Sequence, residues 1–338
     1  MTVPGLSHRR VIIVGAGQAG LAVAGALRNA GLVPQSDFTV IDANMNGQRS
    51  WASRWHSMAL LSDAHHSSIA RRPLPGDQSR RPRVDEMEEY LASVEASLGI
   101  AVMWGMRATG VSPYGSGSSL LLSTNEGPVQ TRNVVCATGA SSRPWVPPWA
   151  ADLIVPGVAI HSADYQFPRQ IPAGDVLIIG GGHSGAQIAR ELAHSHTVTL
   201  SVRRRGQDPK PRKGVRRWPW SAHPRSELPH EDEHAELQQH GVSIVPPARG
   251  ADGRQINFED GAQVRPRSVI FATGYLPADD WLPKVVRDSE SRHRRPGTTS
   301  IPGLYVAGFP KYSTPGADSF TGVRRDAASI ARRILNRP

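Results

Sequence analysis

This chain is poor in cysteine, with one, and in lysine, with four (Lys210, Lys213, Lys284 and Lys311), and it holds no long hydrophobic run. Each scarcity excludes something. Without a second thiol the chain cannot close an internal disulfide, nor pass electrons through a Cys-x-x-Cys dithiol. The single Cys136 lies in the apolar run Val134-Val135-Cys136-Ala137 and reads as a buried strand residue. No apolar stretch reaches the roughly 20 residues of a membrane-spanning helix, so no membrane partner is expected. The first apolar run leads straight into a glycine-rich turn and does not read as a signal peptide. A soluble, cytoplasmic protein is expected, and a homodimer is left open.

Arginine is what the chain has in excess, and it carries nearly all of a formal net charge of +10. The arginines are scattered and no nucleic-acid motif accompanies them. Nucleic acid is therefore not an expected partner, and dinucleotide phosphates are a simpler use for some of these side chains. A chain of 338 residues, 39% hydrophobic, can build two domains with real cores; 33 glycines and 28 prolines suit a loop-rich α/β protein.

Two glycine turns carry the most information. Gly15-Ala16-Gly17-Gln18-Ala19-Gly20 follows Val11-Ile12-Ile13-Val14, and Gly180-Gly181-Gly182-His183-Ser184-Gly185 follows Val176-Leu177-Ile178-Ile179. Each is a short apolar strand, then Gly-x-Gly-x-x-Gly, then an Ala-rich helical run. That is the setting in which a helix N-terminus receives a diphosphate. Two such turns predict two Rossmann-like domains and two nucleotides, a flavin and a nicotinamide. Asp42 closes the strand Phe38-Thr39-Val40-Ile41, 22 residues after Gly20, where an acid meets ribose hydroxyls. The corresponding second strand, Val198-Thr199-Leu200-Ser201-Val202, ends instead in Arg203-Arg204-Arg205. Arginine pairs bidentately with a ribose 2′-phosphate, which predicts NADPH rather than NADH.

Elsewhere, periodicity predicts helices over 18–30, 85–98, 186–193 and 320–335, short β-strands over 100–135, and a domain crossing at the prolines between Pro144 and Pro156. Residues 206–240 read as an insertion, either a lid or a surface loop. Inside it, His230-Glu231-Asp232-Glu233-His234 is a literal His-Glu-x-x-His. Pro229 precedes it and acids crowd it, so an acidic helix start is the better reading than a zinc site. His65 and His66 are adjacent, point apart, and form no metal pair by themselves.

Further blocks resemble the flavin-containing monooxygenases, over almost the whole chain. Trp51-Ala52-Ser53-Arg54-Trp55-His56-Ser57-Met58 is similar to that family's WxxRWxSL block. Ala137-Thr138-Gly139 with Pro144 and Pro147 matches its ATGxxxxPxxP crossing. Gly157, His161 and Tyr165 stand at the spacing of its signature FxGxxxHxxx(Y/F), with Val155 in place of the Phe and Gln166 where a base often follows. Phe271 to Tyr275 resembles the second ATG block; Gly303 to Gly308, Gly322-Val323 and Asp326-Ala327 resemble the closing strand and helix. Gly308-Phe309 stands where the reductase branch carries Gly-Asp.

The resemblance implies an α/β protein with two Rossmann-like dinucleotide-binding domains: an FAD domain at 1–148 and 296–338, with an NADPH domain at 149–295 inserted into it. The flavin side would use Gly15, Gly17, Gln18, Ala19, Gly20, Asp42, Trp51, Arg54, Trp55, Thr138, Gly139, Gly308 and Phe320. The nicotinamide side would use Gly180, Gly182, His183, Ser184, Gly185, Arg203, Arg204, Thr273 and Gly274. The implied activity is an NADPH-consuming monooxygenase that inserts one oxygen atom of O2 into a small organic substrate through a C4a-hydroperoxyflavin. An NADPH-dependent flavin oxidoreductase or oxidase, and a non-catalytic flavin-binding protein, are the alternatives. Asp63 and Ser62 are the side-chain candidates for catalysis, with loop capping as the other reading of Asp63. Trp51 and Trp55 are expected to wall the flavin, or only to pack. His161 is expected to be a satisfied structural histidine. The insertion and Trp145, Trp149, Trp218 and Trp220 are candidates for shaping the substrate pocket.

Overall fold

The structure, a computed structural model, describes residues 6–7, 9–45, 47–115, 118–203, 231–288 and 295–337. It divides into two compact units: Met1–Ala52, Ala59–Ser142 and Pro277–Pro338 in the first, Ser53–Met58 and Arg143–Leu276 in the second.

The first unit begins with β1 (Val11–Val14), α1 (Gln18–Asn29), β2 (Phe38–Asp42), α2 (Val84–Ser97) and β3 (Met103–Trp104). Strands β4 (Ala108–Tyr114), β5 (Ser119–Thr124) and β6 (Gly127–Thr131) form an antiparallel sheet, and β7 (Asn133–Cys136) returns to the core. The second unit holds β8 (Arg143–Pro144), β9 (Ala159–His161), β10 (Asp175–Ile179), α3 (His183–Leu192), β11 (Thr197–Ser201), α4 (Glu231–Gln239) and β12 (Ser243–Val245). It continues through β13 (Ala248–Asp252), β14 (Gln255–Phe258), β15 (Gln263–Val264), β16 (Ser268–Phe271) and β17 (Tyr275–Leu276). The chain then re-enters the first unit with α5 (Lys284–Arg287), β18 (Leu304–Val306) and α6 (Phe320–Leu335).

Each unit is organised on a five-stranded parallel sheet, ordered β18-β7-β1-β2-β3 in the first and β12-β11-β10-β16-β9 in the second. Strands β1, β7, β16 and β18 are buried along their whole length, as parallel strands covered on both faces must be. Helix α1 packs on α6, and its small residues Ala19, Gly20, Ala22, Ala24 and Gly25 are all buried, Gly20 against the first glycine turn and Gly25 against Ala70 and Leu98. Helix α6 is amphipathic, burying Phe320, Val323, Ala327, Ile330, Ala331 and Ile334 at helical spacing. The Ser319 hydroxyl caps it by accepting the Gly322 N–H at 3.1 Å.

The structure refines two boundaries. Helix α3 starts at His183, not 186, because it grows directly from the glycine turn with Gly182 as its N-cap. The return to the first unit falls at Pro277, ahead of the expected 296. The physical reason is apolar burial: Leu282 and Val286 lie in the same core cluster as Val14, Cys136, Phe309 and Tyr312. Within 206–240 the described part is helix α4, in keeping with an acidic helix start. Residues 204–230, which hold Arg204, Arg205, Trp218, Trp220 and His230, lie outside the described residues.

Candidate cofactor sites

The first turn is built by close approach. A methyl group placed on Gly20 would sit 1.8 Å from the Gly15 carbonyl oxygen, and one on Gly15 would sit 2.3 Å from the Ala137 carbonyl oxygen. Neither position admits a side chain, and Gly15 also has φ +112°. Gly17 is different: nothing stands within 4 Å of its missing Cβ. The turn is thus tight where strand, helix and neighbouring strand meet, and open where backbone N–H groups at the start of α1 face outward. That is the shape a diphosphate requires. The second turn repeats it. A Cβ on Gly185 would meet the Gly180 oxygen at 1.9 Å, one on Gly180 the Ala272 oxygen at 2.3 Å, and Gly182 is open. Both turns fit a dinucleotide.

Several expected residues gather around the first turn. Gln18 donates to the Asp318 carbonyl at 2.8 Å and accepts the Trp51 indole N–H at 3.1 Å. Trp51 stacks on Phe320 with ring centroids 6.0 Å apart. Gly308 presses on the start of α1, where an added Cβ would lie 2.8 Å from that of Ala19. Asp42 accepts the Ala16 N–H at 2.7 Å and the Asn44 N–H at 2.8 Å, tying the end of β2 to the turn. A carboxylate has further lone pairs to offer a ribose.

Sequence reasoning passed over Arg49 and named Asp326 only within the closing block, with no role at the turn. Arg49 is buried; its Nε donates to the Ala16 carbonyl at 2.8 Å, its guanidinium contacts Glu95 and lies 5.2 Å from the centre of the Trp104 ring. Asp326, with no exposed surface, accepts the Gly308 N–H at 3.0 Å and the Ser313 hydroxyl. Burial pushes its carboxyl up to about 6. One buried arginine cannot be singled out of a chain full of them. The signal for Asp326 was its place on the apolar face of α6, where a charge is out of pattern.

At the second unit, strand register equates two residues that the motif alone does not. Val14 pairs with Ile41 and Ile179 pairs with Ser201, so Val202 stands where Asp42 stands in the first unit. The acid of the first unit is thus replaced by an apolar side chain. Arg203 follows it, exposed; Arg204 is outside the described residues. His183 and Ser184 open α3. The two ATG turns are held alike: the Thr138 hydroxyl donates to the Ala278 carbonyl, and the Thr273 hydroxyl to that of Trp145. Gly139 and Gly274 take φ of +93° and +92°.

The family model for pyridine nucleotide-disulphide oxidoreductases matches residues 12–308, which span both turns. The chain belongs to the pyridine nucleotide-disulphide oxidoreductase family. It is therefore an oxidoreductase, and family membership implies a flavin and a nicotinamide cofactor. The chain is 28% identical to an "uncharacterized oxidoreductase CzcO-like" of Geobacillus kaustophilus, over 96% of this chain and 98% of that one. It is 27% identical to the indole-3-pyruvate monooxygenase YUCCA1 of Oryza sativa subsp. japonica, over 57% of this chain and 47% of that one. Among solved structures, a flavin-containing monooxygenase from Stenotrophomonas maltophilia superposes with a TM-score of 0.78 at 26% identity, covering 98% of this chain and 99% of that one.

Within this family the chain's departures matter. Cys136 is wholly buried and its thiol is pushed up to about 12 by that burial, which disfavours the thiolate that a redox relay needs. Of the two readings of Trp55, walling the flavin or only packing, its burial favours packing. Its side chain is 1% exposed in the second unit's core with Tyr165, Ile178 and Ile188, and offers no open face to a flavin. Arg54 belongs to the same unit, where it donates to the Tyr275 hydroxyl at 2.6 Å. The short strap 53–58 is fixed there by the His56 N–H donating to the Gln166 carbonyl at 3.0 Å.

His161 is satisfied at both nitrogens: Nδ1 accepts the Ala163 N–H at 3.0 Å, so Nε2 carries the proton and donates to the Gly274 carbonyl at 3.0 Å. Burial lowers its pKa and keeps it neutral. Asp63 accepts both the His66 N–H and its ring Nδ1–H at 2.8 Å, which holds the carboxyl below the usual range. Ser62 shares a 2.8 Å hydrogen bond with Ser67. Both candidates for catalysis thus have local structural employment, that of Asp63 being a turn cap. Trp149 packs on Phe271, 6.0 Å between ring centres. Among the described residues no group of three or more His, Cys, Asp or Glu could hold a metal, and no helix is long and apolar enough to cross a membrane.

Proposed function

We propose that the chain is an FAD-dependent, NADPH-consuming monooxygenase acting on a small organic substrate. The observation that carries this reading is the pair of glycine turns, each tight at its first and third glycines and open at its middle one. The absence of a second cysteine supports oxygen rather than disulfide as the electron acceptor, because a dithiol relay needs two thiols. The monooxygenases among its relatives point the same way.

FAD would be held by the amides of the Gly15–Gly20 turn, with Asp42 toward its ribose and Gln18, Trp51, Gly139, Gly308 and Phe320 around it. NADPH would be held at the Gly180–Gly185 turn, with Arg203 toward its 2′-phosphate and Thr273 and Gly274 beneath. When bound, the flavin supplies the redox chemistry, taking a hydride equivalent and passing electrons to O2. The protein's part is to bind, to orient and to keep water away. Asp63 remains a candidate to act on substrate only through an oxygen not engaged by His66.

The test is direct. Purified protein is loaded with FAD and mixed with NADPH under 18O2 and a panel of soft nucleophiles and ketones. The expected result is NADPH oxidation coupled to 18O in an organic product. NADPH oxidation matched by hydrogen peroxide for every panel member would favour the oxidase; failure to take up FAD would end the reading.

A further inference from the structure

The fold gives the second histidine of the His-Glu-x-x-His run a defined address. His234 lies on α4, which is anchored by Leu237, fully buried in the second unit's core, and by the Arg190–Glu236 ion pair at 2.9 Å to α3. Its Nε2 would lie 3.5 Å from a Cβ placed on Gly181, inside the second glycine turn. That nitrogen is out of solvent and has no hydrogen-bond partner among the described residues. A buried polar atom left without a partner costs stability, which asks what partner arrives.

The first unit suggests the answer. There, Ala16 occupies the place of Gly181, and its N–H is held by Asp42. In the second unit Val202 takes the acid's place, and its Cγ1 would stand 2.3 Å from any Cβ on Gly181. The acid that would repel a ribose 2′-phosphate is gone, the turn is stripped to glycine, and two hydrogen-bond donors attend the position: His234 beside Gly181, and Arg203, exposed and next in the chain after Val202. All of this lies at the C-terminal edge of the parallel sheet, where such folds bind their ligands.

We infer that His234 donates its Nε2–H to the 2′-phosphate of the nicotinamide nucleotide, and so shares with Arg203 the selection of the phosphorylated cofactor. This rests on the reading of the second turn as an NADPH seat.

The test uses the full chain and probes that cannot turn over, adenosine 2′,5′-bisphosphate and 5′-AMP, followed by calorimetry. Wild type should prefer the bisphosphate. His234→Ala should weaken bisphosphate binding roughly tenfold or more, the loss of one hydrogen bond to a charged group, with AMP binding unchanged. His234→Gln, which keeps an N–H donor, should recover part of the preference. In wild type alone, the imidazole 15N signal of His234 should move with the bisphosphate and not with AMP, a readout that needs no variant to fold. A wild type without preference overturns the NADPH reading and this inference with it. A wild-type preference that survives His234→Ala, or a variant that weakens both probes equally, overturns the role of His234 alone.

Discussion

Arg49 shows how much one side chain can hold in this protein. Its guanidinium bridges the first glycine turn, through the Ala16 carbonyl, to Glu95 on α2. Replacing it with leucine leaves Glu95, itself largely buried, without its cation and leaves the Ala16 oxygen without a donor. Breaking a buried pair from one side costs about 3 kcal/mol. Arg49→Leu should therefore lower the thermal midpoint by several degrees, checked by calorimetry on the purified variant. Cys136 makes the opposite prediction. A thiol this deep, with its pKa raised to about 12, does not ionise at neutral pH. A colorimetric thiol reagent should find no reactive cysteine in the folded protein and one per chain after denaturation. Neither residue's burial is legible in sequence beyond Cys136's apolar run, because an arginine's surroundings are assembled from segments far apart.

Helix α6 carries an element-scale prediction. Its buried Asp326 has a folded pKa of about 6, above the ordinary aspartate value near 4. The folded state therefore holds the proton more tightly than the unfolded state between those values. By linkage, the contribution is neutral below about pH 4, stability falls as pH rises from 4 to 6, and the penalty is complete above that, at roughly 3 kcal/mol. Asp326→Asn keeps an acceptor for the Gly308 N–H and a group to meet Ser313, and removes the charge. Thermal denaturation from pH 4 to 8 should show the variant gaining on wild type as pH rises; parallel profiles would show that Asp326 is not what titrates. The helix itself was legible from its spacing of apolar residues, and so were the core strands. The start of α3 was not, because a glycine turn that caps a helix directly leaves no polar gap to read.

For the whole molecule, the two turns should fail separately. Gly20→Ala forces a carbon against the Gly15 oxygen and should give colourless protein. Gly185→Ala repeats the clash at Gly180, in the other unit, and should leave the yellow flavin bound but slow to bleach with NADPH. Absorbance at the flavin band, with and without NADPH, reads both outcomes. The sequence by itself determined the two turns, the parallel strands feeding them and the lack of a dithiol. These are short-range matters: whether a Cβ fits against an oxygen five residues away, and whether a second thiol exists. Tertiary structure decided the rest. Trp51 and Trp55 are four residues apart, yet one packs on Phe320 and the other lies in the core with Tyr165. Asp63 spends its Oδ1 on His66, and Val202 takes the place of Asp42. Side-chain partners such as Phe320 and Tyr165 come from segments brought together only when the chain folds, so no local pattern could assign them.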